Sequence, residues 1–128
     1  VRSDCVTIHA PMTEQTYHMF STAEFRQMKE SAILVNVARG PIVDEEALVN
    51  AIEDGEIGGA GLDVFEEEPP TDSLVLDCEA ITCSPHHAGS SPEAKQNKID
   101  IVRAELERVL TGETLHNVVN GEVFQYRA

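Results

Sequence analysis

Ile33-Leu34-Val35-Asn36-Val37-Ala38-Arg39-Gly40 begins as an apolar, partly β-branched run and ends on a cation and a glycine. A run of this kind forms a strand buried on both faces, here expected over Ala32–Ala38. A guanidinium keeps its charge and is costly to bury without a partner, so Arg39 belongs at the strand's exit, facing an anion. Gly40 permits a backbone turn, and Pro41 keeps the chain from re-entering the sheet. Taken alone, the segment reads as well as a strand that ends in a surface arginine.

Upstream, Cys5–His9 is a short strand ended by Ala10-Pro11, and Met12–Tyr17 is a polar loop. Ser21 and Glu24 have the spacing of a capping box, which opens a helix expected over Thr22–Lys29 with Phe25 and Met28 on one face. Downstream, Asp44 caps a second helix whose first turn carries Glu45 and Glu46, where the helix dipole favours negative charge. Ala47, Leu48, Ala51 and Ile52 form its apolar stripe, and Gly55 stops it. Gly58–Val64 is a third strand, small at Gly59 and Gly61, where a helix is expected to approach closely. Residues 66–79 are acidic, contain Pro69-Pro70 and are expected to be irregular.

Ala80–Ser84 is a fourth strand, broken by Pro85-His86-His87-Ala88-Gly89. Ser91 then caps a long helix with Pro92 at its first position. Ile99, Val102, Leu106, Val109 and Leu110 line one side of it, and Gly112 ends it. Asn117–Asn120 is expected to add a short extended piece. Strands and helices alternate with short connections, which predicts an α/β fold: a parallel sheet with flanking helices and right-handed crossovers.

Composition narrows the partners. The 128 residues carry 23 acidic against 9 basic side chains, a formal charge of −14. Nothing in that balance tracks a phosphate backbone, so nucleic acid and anionic membranes are excluded as expected partners. With 41% hydrophobic and 25% charged residues the chain is globular rather than disordered. Cys5, Cys78 and Cys83 make neither a paired framework nor a close metal-binding spacing, which favours reduced thiols in a cytoplasmic protein and no metal. No apolar run approaches the roughly 18 residues of a membrane span.

In an open parallel sheet, ligands bind outside the carboxyl ends of the strands. Those ends carry His9-Ala10-Pro11, Arg39-Gly40, Asp63 with Glu66-Glu67-Glu68, and His86-His87. Each has an ordinary explanation by itself: a solvated acidic turn, a structural histidine, a surface arginine. Together they supply a cation for a bidentate grip on a carboxylate, an imidazole able to exchange a proton near neutral pH, and a carboxylate to orient it. These are the parts needed to reduce a 2-oxo acid beside a hydride donor.

Three ordered stretches, Asn36-Val-Ala-Arg-Gly-Pro-Ile-Val-Asp-Glu-Glu-Ala-Leu, Ala60-Gly-Leu-Asp-Val-Phe-Glu-Glu-Glu-Pro and Ser84-Pro-His-His-Ala-Gly, closely resemble the D-isomer-specific 2-hydroxyacid dehydrogenases. The resemblance covers nearly the whole chain. It implies that Arg39 binds the substrate's carboxylate and carbonyl, that His86 rather than His87 is the proton donor, and that Glu68 pairs with it. It further implies that Asp63 lies near the nicotinamide carboxamide of NAD or NADP. Ala10, Pro11, Thr16, Val37, Ala38, Arg39, His86 and Gly89 are then the other positions expected to contact the cofactor. The implied partner is a small 2-oxo or 2-hydroxy acid, and the implied full-length protein is a homodimer.

The chain departs from that family in having no G-x-G-x-x-G turn to receive the pyrophosphate. The expected organisation is therefore the second half of a Rossmann-type NAD(P)-binding domain over residues 1–90. A long return helix and tail toward a substrate domain would follow over 91–128. A fragment of a longer polypeptide, inactive as it stands, fits the same features. So does a non-catalytic module that senses dinucleotide, as in the corepressor branch of the family.

Overall fold

The computed structural model describes residues 2–121, which divide between Ala88 and Gly89 into two compact units. Of the tail expected over 91–128, residues 122–128 lie outside the described residues.

The first unit is a four-stranded sheet: β1 (Cys5–Ile8), β2 (Ile33–Asn36), β3 (Gly59–Leu62) and β4 (Ile81–Cys83), in the order 1-2-3-4 and parallel throughout. Ile8, Asn36, Leu62 and Cys83 stand in register at the carboxyl end. The strands are shorter than the sequence predicts, because pairing stops where the chain turns into the loops that carry the polar residues.

The sheet corrects one expectation about burial. Leu34 is fully buried while Ile33, one residue away, is 38% exposed. Val6, Leu34, Ala60 and Ile81 share a register row and pack inward, whereas the row of Thr7, Val35, Gly61 and Thr82 is open to partial or full exposure. A sheet wound in one direction with crossovers of one hand lays every connection on the same face. The second face has no layer of its own within this unit.

On the covered face lie α1 (Thr22–Phe25) and α2 (Glu45–Glu53), with Phe25, Ile42, Val43, Leu48 and Val75 in one core cluster with Leu34 and Leu62. Asp44 caps α2 as expected, accepting the Ala47 N–H at 3.0 Å, an interaction typically worth about 1 kcal/mol. Glu24 accepts the Ser21 N–H at 3.2 Å, as a capping box requires. The helix it opens is one turn rather than the expected Thr22–Lys29. From Gln27 onward the bonds tighten to the third residue back (Gln27 to Glu24, Met28 to Phe25), and Ala32 bonds Lys29 as the chain enters β2.

Residues 66–79 are not wholly irregular: Leu74–Leu76 form a 3-10 turn that buries Val75. The acidic surroundings hide this single apolar anchor from a reading by composition. Among the described residues, no helix of this unit packs against Gly59 or Gly61. Gly59, at φ +153°, is approached by the Ala80 carbonyl of the neighbouring chain segment, and Gly61 faces Val35.

The second unit is built on α3 (Pro92–Thr111), capped by Ser91, which accepts the Ala94 N–H at 3.1 Å, and ended by Gly112 at φ +73°. Its apolar side, Ile99, Val102, Leu106, Val109 and Leu110, is exposed. Asn117–Asn120 forms no strand. The Glu105 carboxylate instead holds this stretch in a bend, accepting the His116 N–H at 3.1 Å and the Asn117 side-chain amide at 3.0 Å. Among the described residues no helix is long and apolar enough to cross a membrane.

Candidate active site

Because β1 to β4 run parallel, their carboxyl ends open on one edge, and the polar residues singled out in the first unit follow those ends. His9, Ala10, Pro11 and Met12 beyond β1 and Val37, Ala38 and Arg39 beyond β2 line a cleft of about 440 Å³. Thr16 closes the first of these loops: its hydroxyl donates to the Pro11 carbonyl at 2.7 Å and accepts the Thr13 N–H at 2.7 Å. Thr16 thus shapes the cleft by holding Pro11.

The turn after β2 is built by Asn36, a fully buried polar side chain in a row of apolar ones. Its Nδ2 donates to the Arg39 carbonyl at 2.9 Å and its Oδ1 accepts the Ala38 N–H at 3.1 Å. Both halves of the amide are therefore satisfied, which makes its burial tolerable. Arg39 leaves that turn in an extended conformation with an exposed side chain, and one guanidinium nitrogen donates to the Ala38 carbonyl at 2.6 Å. The sequence reading passed over Asn36. A lone polar residue at the end of an apolar strand, two and three places before the turn residues, is its signature.

His86 and Glu68 meet. Nδ1 of the imidazole lies 2.9 Å from Glu68 Oε2, while Glu68 Oε1 accepts the Phe65 N–H at 3.2 Å. With Nδ1 engaged, Nε2 is the nitrogen able to hand a proton outward. The hydrogen bond from His86, foremost, then the Phe65 N–H and the charges of His86 and Arg39, hold the Glu68 carboxyl below its ordinary value. His86 sits at φ +54°, a left-handed backbone that non-glycine residues adopt at some cost.

Asp63 explains why that backbone is held. Its buried carboxylate accepts the His87 N–H at 2.7 Å on Oδ1, the Ala88 N–H at 2.7 Å on Oδ2, and the Ser84 hydroxyl. Burial pushes its carboxyl up, but the bonds from Ser84, Ala88 and His87 and the charge of His86 outweigh that and leave it lowered. Asp63 thus braces the turn that presents His86. Ser84 joins it there, a partner the sequence reading did not single out. His87 contributes its backbone to that brace, whereas the imidazole that meets a carboxylate is that of His86.

Glu66 and Glu67 do not compete with Glu68 for His86. Glu66 faces the other way, toward His18 Nε2 at 3.1 Å and the Glu45 N–H at 2.9 Å. Gly89 belongs to the second unit, where its carbonyl accepts Lys98 Nζ at 3.4 Å.

The first unit thus offers two different surfaces at one sheet edge. Ala10, Pro11, Val37 and Ala38 give part of the cleft small apolar walls beside His9, Met12 and Arg39, a lining that a flat heteroaromatic ring such as nicotinamide would fit. Arg39 adds an exposed cation, and His86 with Glu68 an imidazole in contact with a carboxylate. Among the described residues no group of side chains is arranged to hold a metal ion.

Comparison with known proteins agrees with the fold. The family model for the D-isomer specific 2-hydroxyacid dehydrogenase, NAD binding domain, matches residues 1–88. A glyoxylate reductase of Korarchaeum cryptofilum (strain OPF8) is 45% identical over 126 residues, 98% of this chain and 38% of that protein. Glyoxylate/hydroxypyruvate reductase B of Yersinia pestis is 46% identical over 120 residues, 93% of this chain and 36% of that protein. The crystal structure of D-lactate dehydrogenase with NAD+ from Lactobacillus jensenii superposes with a TM-score of 0.81 at 30% identity, over 91% of this chain and 39% of that one. The chain therefore spans a little over a third of the length of these curated relatives.

Proposed function

This chain belongs to the D-isomer specific 2-hydroxyacid dehydrogenase family, in its NAD-binding domain, and on that premise we propose that the whole protein interconverts a small 2-oxo acid and its D-2-hydroxy acid with NAD or NADP. The observation that carries the reading is the contact of His86 Nδ1 with Glu68 Oε2 at 2.9 Å, at the sheet edge that also presents Arg39.

The bound dinucleotide supplies the hydride in reduction and accepts it in oxidation. Arg39 holds the substrate carboxylate, its planar fork matching two oxygens at once. His86 enters reduction as imidazolium and gives the Nε2 proton to the carbonyl oxygen as the carbonyl carbon takes the hydride. Substrate, hydride and proton then sum to the 2-hydroxy acid. Glu68 orients the ring through its contact with Nδ1. Ala10, Pro11, Val37 and Ala38 wall the nicotinamide side, with Thr16 fixing the loop that carries Pro11.

The relatives named for glyoxylate and hydroxypyruvate favour a short 2-oxo acid of that size as substrate. Oxidation of NADH and of NADPH by the whole protein, followed with glyoxylate, hydroxypyruvate and longer 2-oxo acids, tests the proposal. Turnover with at least one short 2-oxo acid, lost in His86→Gln, is the expected result. An intact protein that binds dinucleotide yet reduces none of them would overturn it in favour of a dinucleotide-sensing module.

A further inference from the structure

Among the described residues, two non-glycine positions have a positive φ, His18 at +45° and His86 at +54°. Each histidine faces a carboxylate of the same short loop: His86 faces Glu68, and His18 Nε2 faces Glu66 Oε2 at 3.1 Å. The chemistry above uses the first pair and leaves the second without a role. We propose that His18 is a positioning residue for the His86–Glu68 pair, acting through Glu66. The proposal rests on the dehydrogenase reading for its kinetic consequence, and on geometry alone for the coupling.

His18 is itself fixed on several sides. Its N–H donates to the Pro41 carbonyl at 2.8 Å, its ring stacks on Tyr17 with centroids 4.0 Å apart, and Nδ1 lies 3.8 Å from Asp44 Oδ2. The histidine therefore ties the loop after β1 to the turn after Gly40 and to the start of α2. A residue held in left-handed backbone persists where its surroundings over-determine it.

Glu66 is clamped as firmly. Its Oε1 accepts the Glu45 N–H at 2.9 Å, its own N–H donates to Glu45 Oε1 at 2.7 Å, and Glu45 Oε2 accepts the Ser73 hydroxyl at 2.7 Å. The neighbouring Phe65 supplies the N–H that Glu68 accepts. The path from imidazole to imidazole is thus short: His18, the Glu66 side chain, the 65–66 backbone, Glu68, His86. Removing His18 frees one oxygen of Glu66 and loosens the segment that sets where Glu68 stands. The cleft walls at Ala10, Pro11, Val37 and Ala38 take no part in that path.

The test is made on the whole protein. His18→Asn tolerates the left-handed backbone but is too short to reach Glu66, and His18→Gln restores the reach with an amide. In His18→Asn, kcat for a short 2-oxo acid should fall about tenfold or more, the cost of a misplaced catalytic group, while KM for NADH stays as in wild type. His18→Gln should recover much of that loss. Independently of turnover, NMR of the protein with labelled histidine ring nitrogens should show the His86 Nδ1–H resonance shifted or broadened in His18→Asn. Should His18→Asn fail to fold, Glu66→Gln removes the charge His18 faces and keeps the acceptor for the Glu45 N–H, and the same two signatures are expected. An unchanged His86 resonance with unchanged kcat in the folded variants overturns the proposal. Absence of turnover in wild type would instead strike the dehydrogenase reading, leaving the resonance to decide the role of His18.

Discussion

Gly40 packs its backbone directly against the Phe65 carbonyl, so that a Cβ on Gly40 would fall inside the van der Waals shell of that oxygen. The turn that presents Arg39 and the segment that leads to Glu68 are therefore in backbone contact, and no side chain larger than hydrogen fits between them. Gly40→Ala must push the two apart. Overpacking of this kind typically costs about 1–3 kcal/mol, more where backbone meets backbone. Urea unfolding should show a lower midpoint, and a variant as stable as wild type would mean that the contact yields easily.

Asn36→Asp keeps the shape of the side chain and removes the donor that meets the Arg39 carbonyl. A buried carboxylate would then face a carbonyl oxygen at hydrogen-bond distance. The expected loss is about 1–3 kcal/mol or more, the cost of an unsatisfied buried polar group. Raised pH should deepen the loss, since the new carboxylate is worse charged than neutral. Thermal unfolding at two pH values measures both.

The lowered carboxyls of Asp63 and Glu68 give the fold a definite acid sensitivity. A depressed pKa means that the folded protein binds fewer protons than the unfolded chain, so these groups add stability above their ordinary values of 3.8 and 4.5. That stability drains away as pH falls below those values and through the lower, folded ones. Unfolding free energy should therefore decline with acid in that window. Asp63→Asn should flatten the decline and also weaken the protein at neutral pH, because an amide cannot accept from Ser84, His87 and Ala88 as the carboxylate does. A slope unchanged by Asp63→Asn would place the acid response elsewhere.

The alternation of strand and helix, and with it the sheet and its polar edge, was legible because hydrophobic period and capping residues are local signals. Asp44 and Ser91 cap α2 and α3 where the sequence places them. The open second face was not legible: Ile33 and Leu34 look alike in sequence, and only the one-directional winding of β1 to β4 separates them. The site divides in the same way. Residue types pointed to a cation, a carboxylate and an imidazole at this edge, and the family resemblance pointed to Arg39, Glu68 and His86. Asn36 and Ser84, within three residues of Arg39 and His86, were local signals passed over, whereas the contact of His18 with Glu66 joins segments distant in sequence. A hydrogen bond spanning forty-eight residues, as between His18 and Glu66, leaves no periodic trace.

Arg39→Lys tests the grip on substrate in the whole protein. The lysine keeps the charge but loses the planar fork, and it cannot bond two oxygens in one plane. If the arginine also stabilises the transition state, kcat/KM should fall on the order of 10²-fold. Near-wild-type kcat/KM would return Arg39 to the standing of a surface residue.

The central claim is that His86 carries the proton, held for that purpose by Glu68. Its most direct test is the rate of hydride transfer in a single turnover of the whole protein, followed by loss of reduced-cofactor absorbance across pH, since slow product release would mask chemistry in the steady state. Wild type should lose reductive rate as pH rises, because the donor must start protonated. His86→Gln should fall by about 10²- to 10⁴-fold and lose that pH dependence, with Glu68→Gln between the two. A His86→Gln protein that keeps the wild-type pH dependence would contradict the account and move the proton to another group, His87 first among them.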